Sequence, residues 1–353
     1  MGTTKRCTNQ SFIFQNNAFD WMRIYSAVII IIGHCIVYMN ITLPSILGVF
    51  LNQWRGMICL FTITGFLVPA SLERSRNNRQ FLMKRFARIY PGLWGALVVS
   101  CIAVLVIGFW QGIHYKLVDF IKWIPAQMSF FQFYTPGSIA QYGVGNPNGA
   151  LWSISIEIQV YIVMMVSWKR LSMLKKSQWF VLIVISVAIN VIFGLINGYL
   201  PVLVGKLINV TFVPYAYVFL LGMFFYRYRD EVIPKLSSKF WYLLLGYLAW
   251  FIFNREVLHI HIGHYADLDV ALMVSIITIS GGYYFGRHRI KHEISFGLYI
   301  YHMIIVNVFV MLGGEGSAIY IPIIIGIATV FAMFSRKYIE LPMMKVLKRR
   351  WDE

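Results

Sequence analysis

Apolar stretches long enough to cross a bilayer recur along this sequence, separated by short basic segments, and that alternation limits what the chain can fold into. Ten spans are expected, centred near Ile30, Phe61, Val99, Glu157, Val187, Phe219, Gly246, Ile277, Ile304 and Ala328. Hydrophobic residues make up 59% of the chain and charged residues 13%, against about 25% charged in soluble domains. No soluble core of this length hides so much apolar surface. The chain therefore reads as an all-α, polytopic membrane helix bundle of about ten transmembrane helices. Residues 1–353 are expected to form a single integral membrane domain, with no internal repeat and no appended soluble domain.

The formal charge of +17 raises nucleic acid as a partner, but its distribution argues against one. Lysine and arginine gather on alternate inter-helix segments, the pattern that orients membrane proteins. One parity holds Lys5 and Arg6; Arg74, Arg76, Arg79, Lys84, Arg85 and Arg88; Lys169, Arg170, Lys175 and Lys176; Arg227, Arg229, Lys235 and Lys239; Arg287, Arg289 and Lys291; and Arg336, Lys337, Lys345, Lys348, Arg349 and Arg350. The other parity holds Arg55, Lys116, Lys122, Lys206 and Arg255. This asymmetry predicts both termini in the cytosol and the loop 111–148, rich in aromatics and amides, outside.

The cysteines, Cys7, Cys35, Cys59 and Cys101, form no close-spaced pair and predict neither a disulfide framework nor a zinc site. Cys35 follows His34, but neighbours on a helix point about 100° apart, which disfavours a Cys–His nucleophile pair. His259, His261 and His264 follow no metal-ligand spacing and read as a solvated loop, so no metal is expected.

Ionisable residues inside membrane helices are costly and point to function. Arg23 and His34 share the first span. Eleven residues make three turns plus about 20°, so both project from one face, about 16 Å apart along the axis. Imidazole suits proton transfer near neutral pH, so His34 is a candidate base; the alternative is a histidine hydrogen-bonded across helices. Arg23 fits a phosphate contact or a side chain reaching the headgroups. Arg85 and Arg88, one turn apart before Pro91, fit a phosphate clamp at a helix start or a positive-inside anchor.

Glu157 is expected within about one turn of His34 in height, given a hydrocarbon core of roughly 30 Å. It either fixes the His34 tautomer, as a triad carboxylate does, or pairs with an arginine. Ser153 and Tyr161 share its face at i−4 and i+4. His302, one turn beyond Tyr299, either lines a ligand path or makes a structural interhelical hydrogen bond.

Several segments together resemble the acyltransferase 3 family. Asp20–Arg23–His34 is similar to its D-x-x-R-x10-H start, and Leu60 to Leu67 (LFTITGFL) to its second helix. Phe81 to Pro91 (FLMKRFARIYP) and Asn148 to Tyr161 (NGALWSISIEIQVY) resemble two further family segments. Ile294 to His302 (ISFGLYIYH) and Glu340–Pro342 complete the series in family order. Ile24, Leu60 and Thr64 depart mildly from the pattern.

The resemblance implies an acyl-CoA-dependent O-acyltransferase in the bacterial cytoplasmic (inner) membrane. It implies transfer of acetyl from acetyl-CoA to a surface polysaccharide (O-antigen, capsule or exopolysaccharide) or its lipid-linked precursor. Catalysis is then expected at His34 and Glu157, and coenzyme A phosphates at Arg23, Arg85 and Arg88. Asp20, Thr64, Ser153, Tyr161, Tyr299 and His302 are expected to support the site, with Thr64 or Tyr299 as oxyanion donors. Partners are the glycan acceptor, membrane lipid and, since no extracytoplasmic hydrolase-like domain is seen, a separate acyl-transfer protein as one route. A transporter or flippase is the rival reading, although the inverted repeats common in transporters are not evident.

Overall fold

The computed structural model describes residues 16–44, 48, 51, 54–286, 290 and 293–352, with side chains to residue 348. Lys5, Arg6, Cys7, Arg287, Arg289 and Lys291 lie outside the described residues, as do the side chains of Arg349 and Arg350.

The described residues are predominantly helical and contain no strand. The principal helices are α1 (Phe19–Tyr38), α2 (Gly56–Glu73), α3 (Asn78–Trp110), α4 (Leu117–Met128), α5 (Trp152–Leu171), α6 (Lys176–Ile196) and α7 (Val202–Asn209). They continue with α8 (Ala216–Arg227), α9 (Arg229–Ser237), α10 (Phe240–Phe253), α11 (Leu268–Tyr284), α12 (Ser295–Met311), α13 (Tyr320–Ser335) and α14 (Leu341–Asp352).

Among the described residues, 6 helices are long and apolar enough to cross a membrane, or up to 8 if each of two bent pairs is one span. The pairs bend by 52° between 202–209 and 213–227, and by 69° between 229–237 and 240–258. Two of the expected centres, Ile277 and Ile304, fall instead on the shorter apolar helices α11 and α12, of 17 residues each. Large apolar side chains face outward along α6, including Phe180, Val184, Ile185, Ile192 and Leu195. Such a face is costly in water but suits lipid.

The third helix begins earlier than its sequence suggests. Asn77 is extended, and its side chain accepts a hydrogen bond from the Gln80 amide, capping a 33-residue helix. Pro91 therefore lies inside α3 and not at its first turn. Arg85 and Arg88 sit on the body of the helix, so their use as an anion clamp rests on their guanidinium groups and not on a helix N-terminus.

The chain divides into two compact units. The first combines residues 1–26, 52–74 and 162–291. Within it α8 packs on α2, and α11 packs on α2, α9 and α10. The α2–α8 approach is backbone to backbone: a Cβ on Gly65 would strike the Phe219 carbonyl, and one on Gly222 the Thr62 carbonyl. Small residues allow this contact where apolar side chains gain little by leaving lipid. Thr62 Oγ1 donates to Ile58 O at 2.8 Å and lies 2.9 Å from Ser275 Oγ, so buried hydroxyls also join α2 to α11.

The second unit combines residues 27–51, 75–161 and 292–353. Here α12 packs on α3 and α13, and α14 returns along α3. The segment 111–148, expected as a long loop on the outer side, is partly helical. Its α4 is pinned by Asp119, which accepts from Ser138 N at 2.9 Å and Ser138 Oγ at 2.5 Å. Buried Gln127 donates to the carbonyls of Gln132 and Tyr134 at 3.1 and 3.0 Å. The end of the segment is fastened to α12. Asn307 accepts from Val144 N at 2.8 Å and donates to the Asn146, Pro147 and Met303 carbonyls at 3.0, 3.1 and 2.9 Å. Asn148 Nδ2 donates to Ile300 O at 2.8 Å. These bonds set the entry of α5 beside α12.

Candidate active site

His34 and His302 meet in the second unit. His34 Nδ1 lies 2.7 Å from His302 Nε2, and the two rings are nearly parallel, 18° apart with centroids 5.0 Å from each other. His34 is half-buried and His302 is 0% exposed. The far nitrogen of His302, Nδ1, lies 2.7 Å from the Tyr299 carbonyl oxygen. The Tyr299 hydroxyl donates to Ala150 O at 2.5 Å and lies 2.7 Å from Ser153 Oγ. A chain of polar contacts thus runs from α1 through α12 to the start of α5.

Glu157 lies one turn beyond Ser153 on α5, and Tyr161 one turn beyond Glu157. Tyr161 donates its hydroxyl to Glu157. The Arg85 guanidinium carbon lies 5.5 Å from the Tyr161 ring centroid and 5.8 Å from that of Phe81. Arg88 and Glu157 contribute to the electrostatic field at Arg85. Two groups of polar side chains therefore attach to α5 one turn apart, the first through Ser153 and the second through Glu157. One is a pair of imidazoles; the other is a carboxylate, a phenol and two arginines.

Of the two alternatives for Glu157, contact with His34 is not seen, and its hydrogen bond is to Tyr161, on the arginine side. His34 bonds to His302, and Glu157 turns toward Tyr161 and the arginines. Helical register gave the correct face of α5 for Glu157, but the neighbouring helices decided its partner. His302 is the residue whose part was least visible in the sequence. The signal was a buried histidine one turn after a tyrosine in an apolar helix.

Asp20, Arg23 and Thr64 fall in the first unit. Arg23 is 9% exposed, and its Nη1 pairs with Asp20 Oδ1 at 3.4 Å across one turn of α1. Thr64 is half-buried on α2. Arg23 and His34 lie on one unbroken helix.

The remaining histidine cluster stays apart from this chemistry. His261 Nδ1 lies 3.2 Å from Asp267 Oδ2. His264 packs beside Phe193 and Tyr215, and burial there lowers its affinity for a proton. Among the described residues no group of three or more His, Cys, Asp or Glu side chains is disposed to hold a metal. Glu340, in the closing motif, is 3% exposed. It accepts from Arg336 Nη1 at 3.0 Å and Ser335 Oγ at 3.2 Å.

Comparison with known proteins gives this geometry its context. The family model described as an acyltransferase domain matches residues 16–336. A nodulation protein 10 of Rhizobium leguminosarum bv. viciae is 25% identical over 362 aligned positions, covering 96% of either chain. An O-acetyl transferase of Shigella phage Sf6 is 25% identical over 158 positions, covering 42% of this chain and 45% of its own. No solved structure matches. The family match spans both units and includes all the polar side chains assembled above except those of the closing motif after residue 336, and the chain belongs to the acyltransferase 3 family, as an integral membrane acyltransferase.

Proposed function

We propose that this enzyme transfers an acetyl group from acetyl-CoA to a hydroxyl of a bacterial surface polysaccharide or its lipid-linked precursor, in the cytoplasmic (inner) membrane. The observation that carries the reading is the His34–His302 pair in the same unit as Arg85 and Arg88. A proton acceptor and a cationic anchor are the two parts that acyl transfer from a phosphate-bearing thioester needs. The relative named O-acetyl transferase supports acetyl as the group moved.

The donor set fits coenzyme A in kind. Arg85 and Arg88 present two guanidinium groups one turn apart, and planar guanidinium forks suit phosphate oxygens. Bound acetyl-CoA supplies an activated thioester carbonyl. Arg85 and Arg88 hold its phosphates at the cytosolic face, in the orientation that the charge pattern assigns to α3. His34 removes the proton from the acceptor hydroxyl as that oxygen attacks the thioester. Glu157, through Tyr161, orders the arginine anchor. The aromatic segment 115–142 is proposed as a stacking surface for sugar rings.

The test is transfer by His34→Ala, at matched membrane levels, measured by mass spectrometry of the host polysaccharide. Loss of acetyl from the repeat unit and loss of free CoA release are expected. Retention of near-normal transfer would overturn the assignment of His34. Purified protein that binds a glycan but neither binds acetyl-CoA nor releases CoA would return the rival transport reading.

A further inference from the structure

We infer that His302 is a positioning residue that holds His34 in the tautomer protonated at Nδ1, leaving His34 Nε2 as the atom that takes the acceptor's proton. This rests on the acyl-transfer reading above and goes beyond it by naming the reacting nitrogen and the group that selects it.

The Tyr299 carbonyl oxygen only accepts hydrogen bonds. His302 Nδ1, 2.7 Å away, therefore carries the hydrogen. A neutral imidazole has one N–H, so His302 Nε2 presents a lone pair. Its neighbour at 2.7 Å, His34 Nδ1, must then be the donor. His34 is left with its lone pair on Nε2.

Burial favours the neutral form of His302. It is 0% exposed, and its contacts are a carbonyl, an imidazole and the Tyr299 ring, with no carboxylate among them. An imidazolium in that setting, inside an apolar helix, would be costly. The carbonyl that fixes His302 is itself fixed. Tyr299 is held at its far end by Ala150 and Ser153, at 2.5 and 2.7 Å. That hydroxyl has spent its proton on Ala150, so the expected use of Tyr299 as an oxyanion donor gives way to a supporting one.

The arrangement does for His34 what a buried carboxylate does in a Ser-His-Asp triad, with a neutral acceptor in place of an anion. In the transfer step, His34 Nε2 takes the acceptor's proton while the acceptor oxygen forms a bond to the thioester carbonyl carbon. The carbon–sulfur bond breaks with its electron pair on sulfur. The Nε2 proton then passes to the departing thiolate, and neutral His34 returns. Throughout, Nδ1–H stays on His302 Nε2, so the transient imidazolium keeps a hydrogen-bond partner.

The experiment combines a spectroscopic and a kinetic readout on the full chain in lipid. In protein labelled with 15N at histidine, with the His34 signal assigned by difference against His34→Asn, the expected state near neutral pH is protonated Nδ1 and bare Nε2. His302→Leu should give a mixture of His34 tautomers and lower kcat about 100-fold or more, with donor KM within about threefold. His302→Gln should recover most of that loss, because its amide can donate to the Tyr299 carbonyl and accept from His34. A His34 protonated at Nε2 in the unmutated protein would overturn the proposal, whether or not the variants fold. So would wild-type kcat in His302→Leu while His34→Ala is inactive, a result that leaves the acyl-transfer reading standing. Retained transfer in His34→Ala would instead remove that reading itself.

Discussion

Tyr161 donates its hydroxyl to Glu157 one turn back on α5, and the same ring packs against Arg85 at 5.5 Å. One phenol therefore links the only acidic residue of the α5 span to an arginine of α3. An ionised carboxylate at membrane depth needs such partners. Glu157 finds them on the arginine side, and this frees His34 for a different neighbour.

Removing that phenol should loosen the anchor before it touches the chemistry. Tyr161→Phe keeps the packing of a 3% exposed ring but deletes the bond to Glu157. Stability should fall by about 1–3 kcal/mol, the cost of a buried polar group losing its partner. Thermal unfolding in detergent would read this, and donor KM should rise more than kcat falls. An unchanged melting temperature and KM would show that the link carries no load.

Arg85 and Arg88 are distinguishable from headgroup anchors by kinetics. Charge-assisted hydrogen bonds contribute about 1.5–3 kcal/mol each, so the double Arg85→Ala, Arg88→Ala variant should raise the KM for acetyl-CoA about tenfold or more. Arg85→Lys should recover only part of the loss, since an ammonium cannot reproduce the planar fork. A KM equal to wild type, with insertion intact, would return both residues to topology alone.

The clasp between Asp119 and Ser138 should weaken only in strong acid. The two Ser138 donors hold the Asp119 carboxyl below its ordinary value. A depressed folded pKa gives stabilisation that is present above the unfolded value of about 3.9 and is lost as pH falls through the lower folded value. Hydrogen exchange at the Ser138 amide should stay protected down to about pH 4 and rise below it. Asp119→Asn should expose that amide at every pH. Equal protection in the variant would show that the carboxylate does not hold the segment.

Gly143 is a position that no side chain fits. Its φ is +58°, and an added Cβ would collide with the Asn307 carboxamide. Gly143→Ala should cost about 1–2 kcal/mol for the left-handed backbone alone, plus displacement of Asn307. Faster exchange at the Val144 amide and a lower melting temperature should follow. Normal exchange there would mean that the loop can rearrange around the methyl.

Sequence alone made this a membrane protein of the acyltransferase 3 type. Long apolar runs report on lipid without reference to any partner, and the motif series from Asp20 to Pro342 survives as a linear pattern. It also placed Ser153, Glu157 and Tyr161 on one face of α5, because i and i+4 neighbours follow from the helix itself. It misjudged the start of α3, where the Asn77 cap overrode the expectation drawn from Pro91.

Only the tertiary structure decided which polar groups meet. His34 and His302 are 268 positions apart, and nothing in the periodicity of α1 or α12 selects one for the other. Packing across helices depends on side-chain shape and on where backbones approach, as at Gly65 and Gly222, and on loop bonds such as those of Asn148 and Asn307. Helical register is local and can be read along the chain. The rotation of one helix against the next is a property of the whole bundle, and it set the partners of His34 and Glu157.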